Sequence, residues 1–172
     1  MYSYSEDWTL ESIAKRLKSI KEEKHASLTI DTLALIKQLY ERAYFKPSPI
    51  ESISEGLKTG DKDFVELAIQ FFEDDQIFHQ SGRKKAKIAR RLKHCNLTSI
   101  QKNRILDSLE RRFLSGSFSD QYKDHLRLGM KLSPERMVEM ALEGKKSKKQ
   151  YIAKLSDWII TNLGENEPRR SI

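Results

Sequence analysis

The sequence has one cysteine, Cys95, and few glycines and prolines, seven and four in 172 residues. A single cysteine excludes an internal disulfide and is typical of proteins in reducing compartments. The longest apolar runs, such as 33–36, fall far short of the roughly 20 residues that a membrane-spanning helix needs. The N-terminus also lacks the basic start and apolar stretch of a secretory signal, and neither end shows a lipidation motif. These absences predict a cytoplasmic protein with no membrane segment.

Catalytic and metal-binding signatures are also lacking. There is no H-E-x-x-H, no C-x-x-C, no phosphate-binding glycine loop and no nucleophile elbow, and the four histidines lie far apart. Cys95 follows His94, but neighbours on a helix point in different directions, which favours an inert thiol. Three i, i+4 pairs remain, and each is more typical of a local ion pair or a solvent-facing helix: Asp75/His79, Asp120/Asp124 and Glu135/Glu139. The sequence therefore predicts no enzyme, no catalytic residue, no metal, no cofactor and no small-molecule substrate.

Helical periodicity runs through the whole chain. Apolar residues recur at i, i+3, i+4 and i+7, as in 10–20, and no segment alternates apolar and polar residues as a strand would. Four positions fit helix starts: Asp61, Thr98, Ser117-x-x-Asp120 and Ser133-Pro134. Gly116 fits a left-handed helix end, and Gly164 is expected to close the last helix. We expect an all-α protein with eight or nine helices. Eight large aromatic residues fall mainly on the predicted core stripes: Trp8, Phe64, Phe71, Phe72, Phe78, Phe113, Tyr151 and Trp158. Phe78, together with Phe45, is also a candidate for an exposed side chain that anchors a protein contact.

The spacing of helix starts gives a weaker indication of architecture. Alternate predicted starts lie about 29 to 39 residues apart, close to the periods of paired-helix repeat proteins, about 34 to 47 residues. This spacing favours a short α-solenoid of helical hairpins that resembles HEAT repeats in architecture, and a compact irregular helical bundle is the alternative. We expect one domain over residues 1–164 and a flexible tail over 165–172.

Charge is distributed unevenly along the chain. Residues 1–75 hold 10 basic and 15 acidic residues, a net charge of −5, whereas 76–172 hold 22 and 10, a net charge of +12. Such asymmetry indicates either an anionic partner or an internal neutralising contact.

The densest basic segment is 83–94, which has seven basic residues and no acidic one. Its apolar positions predict an amphipathic helix, in which like charges at i, i+4 cost about 0.2–0.5 kcal/mol per pair. Lys85 falls on the apolar stripe, so we expect that it snorkels or that the helix begins after it. Neutralisation by Glu73, Asp74 and Asp75 would make the pattern purely structural; we favour an external anionic partner. The predicted binding residues, including four from the next helix, are Arg83, Lys84, Lys87, Arg90, Arg91, Lys93, Lys102, Arg104, Arg111 and Arg112.

The partner class follows from what surrounds these charges. Stacked helices offer grooves to other proteins, so an acidic protein surface is slightly favoured, which makes the chain a binding or adaptor protein. The alternative is a nucleic-acid backbone, bound mostly through phosphates because no aromatic residue lies in the basic segment. Only Ile88 and Leu92 would anchor this helix in a bilayer surface, so no membrane partner is expected.

Overall fold

The computed structural model describes residues 8–24, 31–42, 49–74, 81–118 and 121–165. Within these ranges it contains α-helices and no strand, so the all-α prediction is confirmed for the described part of the chain. The helices, numbered in chain order, are α1 (Leu10–Lys24), α2 (Thr32–Glu41), α3 (Pro49–Leu57), α4 (Lys62–Glu73), α5 (Ser81–Leu92), α6 (Ser99–Ser115), α7 (Tyr122–Leu132), α8 (Pro134–Gly144) and α9 (Gln150–Glu165).

Side-chain caps fix many of the helix ends. Asp61 caps α4, and Thr98 and Gln101 form a reciprocal capping box at the start of α6. Ser133 caps α8, with Pro134 in the first turn, where its missing N–H is not needed. Gly116 ends α6 with φ of 71° in the left-handed region, which glycine adopts without steric cost. These four sequence predictions are confirmed.

Two predicted ends differ from the structure. α7 was expected to open at Ser117-x-x-Asp120, but it begins at Tyr122, and its N-cap residue Gln121 makes no side-chain capping bond. Asp120 lies outside the described residues. Gly164, expected to close the last helix, lies inside α9, because a glycine near a helix end need not adopt the left-handed conformation. The tail predicted at 165–172 lies almost wholly outside the described residues.

The helices pack in an order set by the chain. Every extensive helix–helix contact joins helices at most three positions apart in chain order. In one row α3, α5, α7 and α9 follow one another, in a second row α4, α6 and α8, and α1 and α2 pack at the α3 and α4 end. This arrangement agrees with the predicted short solenoid or helical bundle. None of the described helices combines the length and apolar character needed to cross a bilayer.

The core lies between the two rows and under α1. Trp8 meets Phe71 edge-on at 4.8 Å between ring centroids. Five of the eight predicted core aromatics are buried: Trp8, Phe64, Phe71, Phe72 and Phe113. Trp158 is only partly buried, and Phe78 and Phe45 lie outside the described residues. The core prediction is wrong for Tyr151, whose side chain is 46% exposed because its hydroxyl reaches out to donate to the carbonyl of Gly116 at 3.1 Å.

Candidate functional site

Two basic residues of α5 contact acidic side chains of α3. Lys87 pairs with Glu51, and Arg91 lies 3.7 Å from a carboxylate oxygen of Glu55 and donates to Ser54 Oγ at 2.7 Å. Both α3 carboxylate side chains are largely buried, at 14% and 12% exposed. These contacts offset the repulsion between Lys87 and Arg91, which lie four residues apart on the helix.

Two further α5 cations point inward. Lys84 is only 8% exposed; burial lowers its pKa, and the nearby Glu51 carboxylate partly opposes this effect. Lys85 is 5% exposed, and its Nζ donates to the backbone carbonyl of Asp74 at the end of α4. The expectation that Lys85 would snorkel or precede the helix is wrong, because a carbonyl at a helix C-terminus supplies an acceptor inside the fold.

The same end of α4 gathers cations from α6. Arg104 binds Glu73 bidentately, at 2.6 and 2.9 Å, and Glu66 at 2.6 Å; chiefly because of the hydrogen bonds to Glu73, its pKa is raised. Arg112 is 7% exposed and donates to the Asp74 carbonyl at 2.6 Å, and Arg111 lies 3.4 Å from the Glu73 carbonyl. Cations at a helix C-terminus interact favourably with the macrodipole.

Internal neutralisation is therefore present, but with partners other than the expected ones. Glu73 and Asp74 are contacted by arginines of α6 and by Lys85 of α5, not by Lys87, Arg90 or Arg91. Those three pair instead with Glu51, Asp124 and Glu55. The sequence could not distinguish these acids, because the choice depends on which helices pack against α5. Asp75, the third expected partner, lies outside the described residues.

The ten predicted binding residues thus separate into two groups. Seven contact other parts of the chain or are buried: Lys84, Lys87, Arg90, Arg91, Arg104, Arg111 and Arg112. Arg83 and Lys102 are exposed, and Lys93 is half-buried. The α5 members face α3 and α7, whereas Arg104 and Arg112 face α4, so the structure does not arrange all ten as one surface.

A second basic row, on α7, was missed from the sequence. Lys123, Arg127 and Lys131 lie four residues apart and are all exposed. Arg127 lies 3.2 Å from Asp124, which also pairs with Arg90 of α5. Two arginines that are 56% and 52% exposed therefore share one carboxylate. The i, i+4, i+8 spacing of these three cations was the sequence pattern that could have identified the row. An acidic residue and a histidine lie between the cations, so the segment has no continuous basic run and a lower net charge.

This row continues onto the neighbouring helices. Lys131 Nζ donates to the Lys93 carbonyl at 2.5 Å, just beyond the end of α5. Arg83 lies seven residues before Arg90 and so shares its side of α5. We call the following set of six cations, of which Arg90 and Arg127 pair with Asp124, the basic face: Arg83, Arg90, Lys93, Lys123, Arg127 and Lys131.

An aromatic side chain borders the basic face. Trp158 of α9 is partly buried against the core. Lys123 Nζ lies 5.3 Å from the centroid of its ring, and Arg127 Cζ lies 5.7 Å from the centroid. These are cation–π distances. The basic segment 83–94 contains no aromatic residue, but the fold places Trp158, more than sixty positions away in the sequence, beside the basic face.

The other chemically interesting residues do not converge with this face. Cys95 is half-buried; burial raises the pKa of its thiol, and Sγ lies 3.5 Å from the Arg91 carbonyl. Glu135 and Glu139 are exposed. Asp75 and His79 lie outside the described residues, and so does Asp120, the proposed companion of Asp124. Over the described ranges no three potential metal ligands cluster.

His125 is the one histidine that the fold buries among the described residues. It is 3% exposed, and neither ring nitrogen has a hydrogen-bond partner in the described part of the chain. Its ring lies between Phe72 and Tyr122, with centroids at 5.0 and 5.1 Å. Burial, followed by repulsion from Arg112 and Lys85, lowers its pKa to about 3. The imidazole is therefore neutral at physiological pH.

Comparison with known proteins finds no family model, no curated protein and no solved structure that matches this chain.

Proposed function

We propose that this protein is a non-enzymatic helical binding or adaptor protein that contacts an acidic partner through its basic face. The observation that carries the proposal is the exposed α7 row, Lys123, Arg127 and Lys131, joined to Arg90 through a shared carboxylate. Like charges at i, i+4 destabilise a helix, and a bound anion would relieve that repulsion.

The basic face replaces the ten-residue set as the proposed contact surface. Arg83, Arg90 and Lys93 belong to both. Lys102 and Arg111 on α6 remain possible peripheral contacts, whereas Lys84 and Arg112 serve the interior. An acidic protein surface and a nucleic-acid backbone are the two partner classes; the sequence favours the first, and the position of Trp158 favours the second.

Two finer expectations belong to the same proposal. The stepwise contacts of α3 to α9 support a HEAT-like helical repeat, although the helices carry no aligned repeat motif. A single cysteine and the absence of a spanning helix among the described residues support a cytoplasmic location.

The proposal is tested with heparin as a polyanion probe. The variant K123Q/R127Q/K131Q should weaken heparin binding at least tenfold and flatten its salt dependence by about three counterions. A matched variant, K15Q/K37Q/K62Q, removes three exposed lysines elsewhere and leaves the same net charge. Equal losses in the two variants would overturn the proposal, because binding would then follow net charge alone.

A further inference from the structure

We propose that the ligand of the basic face is single-stranded nucleic acid, with Trp158 as the platform on which a base stacks. This inference rests on the proposed function and names its partner class. It starts from the position of an aromatic ring beside an exposed row of cations, an arrangement that the tertiary structure creates by packing α9 against α7.

The α7 row fits a strand in length. Lys123 and Lys131 are eight residues apart, about 12 Å along a helix, which matches about three to four nucleotides of a strand at roughly 3.4 Å each. Arg90 and Lys93 extend the positive charge toward α5. A backbone laid along the row would offer a phosphate to each cation, whereas Arg90 and Arg127 otherwise share the single carboxylate of Asp124.

Trp158 offers an aromatic ring on which a base can stack, which phosphate contacts do not provide. Its ring is only partly buried, so part of it faces solvent beside Lys123 and Arg127. Lys154 is exposed and lies four residues before Trp158, on the same side of α9. A base that stacks on the ring therefore keeps its flanking phosphates within reach of cations on both α7 and α9, as in sequence-tolerant single-strand binding.

The alternatives use less of this arrangement. An acidic protein surface would satisfy the cations but has no general use for a partly buried indole ring beside them. A duplex keeps its bases stacked on one another and would contact only the cations. The single strand is the one polyanion that engages both the charges and the ring.

The test compares oligo(dT), oligo(U) and an abasic deoxyribose-phosphate oligomer of equal length by fluorescence anisotropy. Wild-type protein should bind the two base-bearing strands about 5- to 150-fold more tightly than the abasic one, the range expected for stacking of one base. W158L should erase that difference and leave abasic and heparin binding within about twofold of wild type. Y151L, which removes another exposed aromatic of α9, should leave it intact.

The outcomes separate the two proposals. Equal wild-type affinities for oligo(dT), oligo(U) and the abasic oligomer, together with tight heparin binding, would overturn the stacking site and leave the basic face standing; this comparison needs no variant to fold. Tighter binding of poly-glutamate than of either strand would assign the face to acidic protein. Failure to bind any polyanion at low salt would overturn the basic face itself.

Discussion

α5 and α7 are both basic helices in the same row, yet only α7 presents its charge to solvent as a continuous row. α5 carries six basic residues and α7 three. In α5 two cations are buried, and two pair with the α3 carboxylates. In α7 all three are exposed. The number of basic residues in a helix therefore does not tell how many of them are available to a partner.

The difference arises from the neighbours of each helix. α3, beside α5, carries Glu51 and Glu55 on the side that faces it, and the carbonyl of Asp74 at the end of α4 accepts a hydrogen bond from Lys85. The row on α7 instead borders α9, which contributes the Trp158 ring. A cation–π contact leaves the charge of Lys123 in place, whereas an ion pair cancels it.

The largest expected effect comes from neutralising the paired cations of α5. K87Q/R91Q leaves Glu51, which is largely buried, without its paired cation and leaves Glu55 with Lys58 alone, and we expect a loss of about 1–3 kcal/mol in the free energy of unfolding. K123Q/R127Q on α7 removes the same charge, but from exposed groups, and should change stability by less than about 0.5 kcal/mol. Urea denaturation measures both.

A double-mutant cycle checks the cause of that loss. Adding E51Q/E55Q to K87Q/R91Q should restore most of the lost stability, because no largely buried carboxylate is then left unpaired and Lys58, which loses Glu55, is exposed. Similar destabilisation by the α5 and α7 pairs would contradict the contrast between the two helices.

A second prediction concerns His125 on the inward face of α7, whose pKa is lowered by burial and then by repulsion from Arg112 of α6 and Lys85 of α5. The folded pKa of about 3 lies below the ordinary value near 6.5, so the unfolded chain binds more protons between these values. This contribution to stability is complete above pH 6.5 and is lost as pH falls. We expect about 2 kcal/mol less stability at pH 5 than at pH 7 from this group alone.

Substitution isolates the contribution of His125. H125F keeps an aromatic ring between Phe72 and Tyr122 and should remove about 2 kcal/mol of the loss between pH 7 and pH 5. H94Q, at an exposed histidine, should retain the full dependence. An H125F profile parallel to that of wild type in urea denaturation would show that the imidazole protonates without unfolding.

The smallest effect is expected where the two helices meet. Arg90 is 56% exposed and shares Asp124 with Arg127, so R90Q should change stability by less than about 0.5 kcal/mol. It should still reduce the salt dependence of heparin binding by about one counterion, because it removes one cation of the basic face. A thermal melt and a salt titration measure the two quantities; a large loss of stability would instead make Arg90 a structural residue.

Much of the fold could be predicted from local sequence. The caps at Asp61, Thr98 and Ser133 and the left-handed Gly116 depend on residues within a few positions, and such signals survive folding. The start of α7 could not be predicted in this way, since no side chain caps it. Its position follows from the packing of buried residues such as Tyr122 and Leu126.

The candidate site was predictable only in part. The sequence located the positive charge in the second half of the chain and included Arg83, Arg90 and Lys93. It also placed Lys84, Arg104 and Arg112 among the binding residues. In the structure Lys84 and Arg112 are buried, and Arg104 pairs with a glutamate of α4. Long basic side chains can cover apolar surface or cap a helix, and residue type alone does not say which.

The sequence by itself determined that the described chain is helical, where most of its helices end and which aromatic residues form the core, because periodicity and capping act over a few residues. Only the tertiary structure decided which charged side chains form contacts inside the fold and which remain available to a partner. The pairing of α5 with α3, the contacts of the α6 arginines with the end of α4 and the placement of Trp158 beside Lys123 all join residues more than thirty positions apart. Coulomb and cation–π interactions depend on distance in space, and the packing of the helices sets that distance.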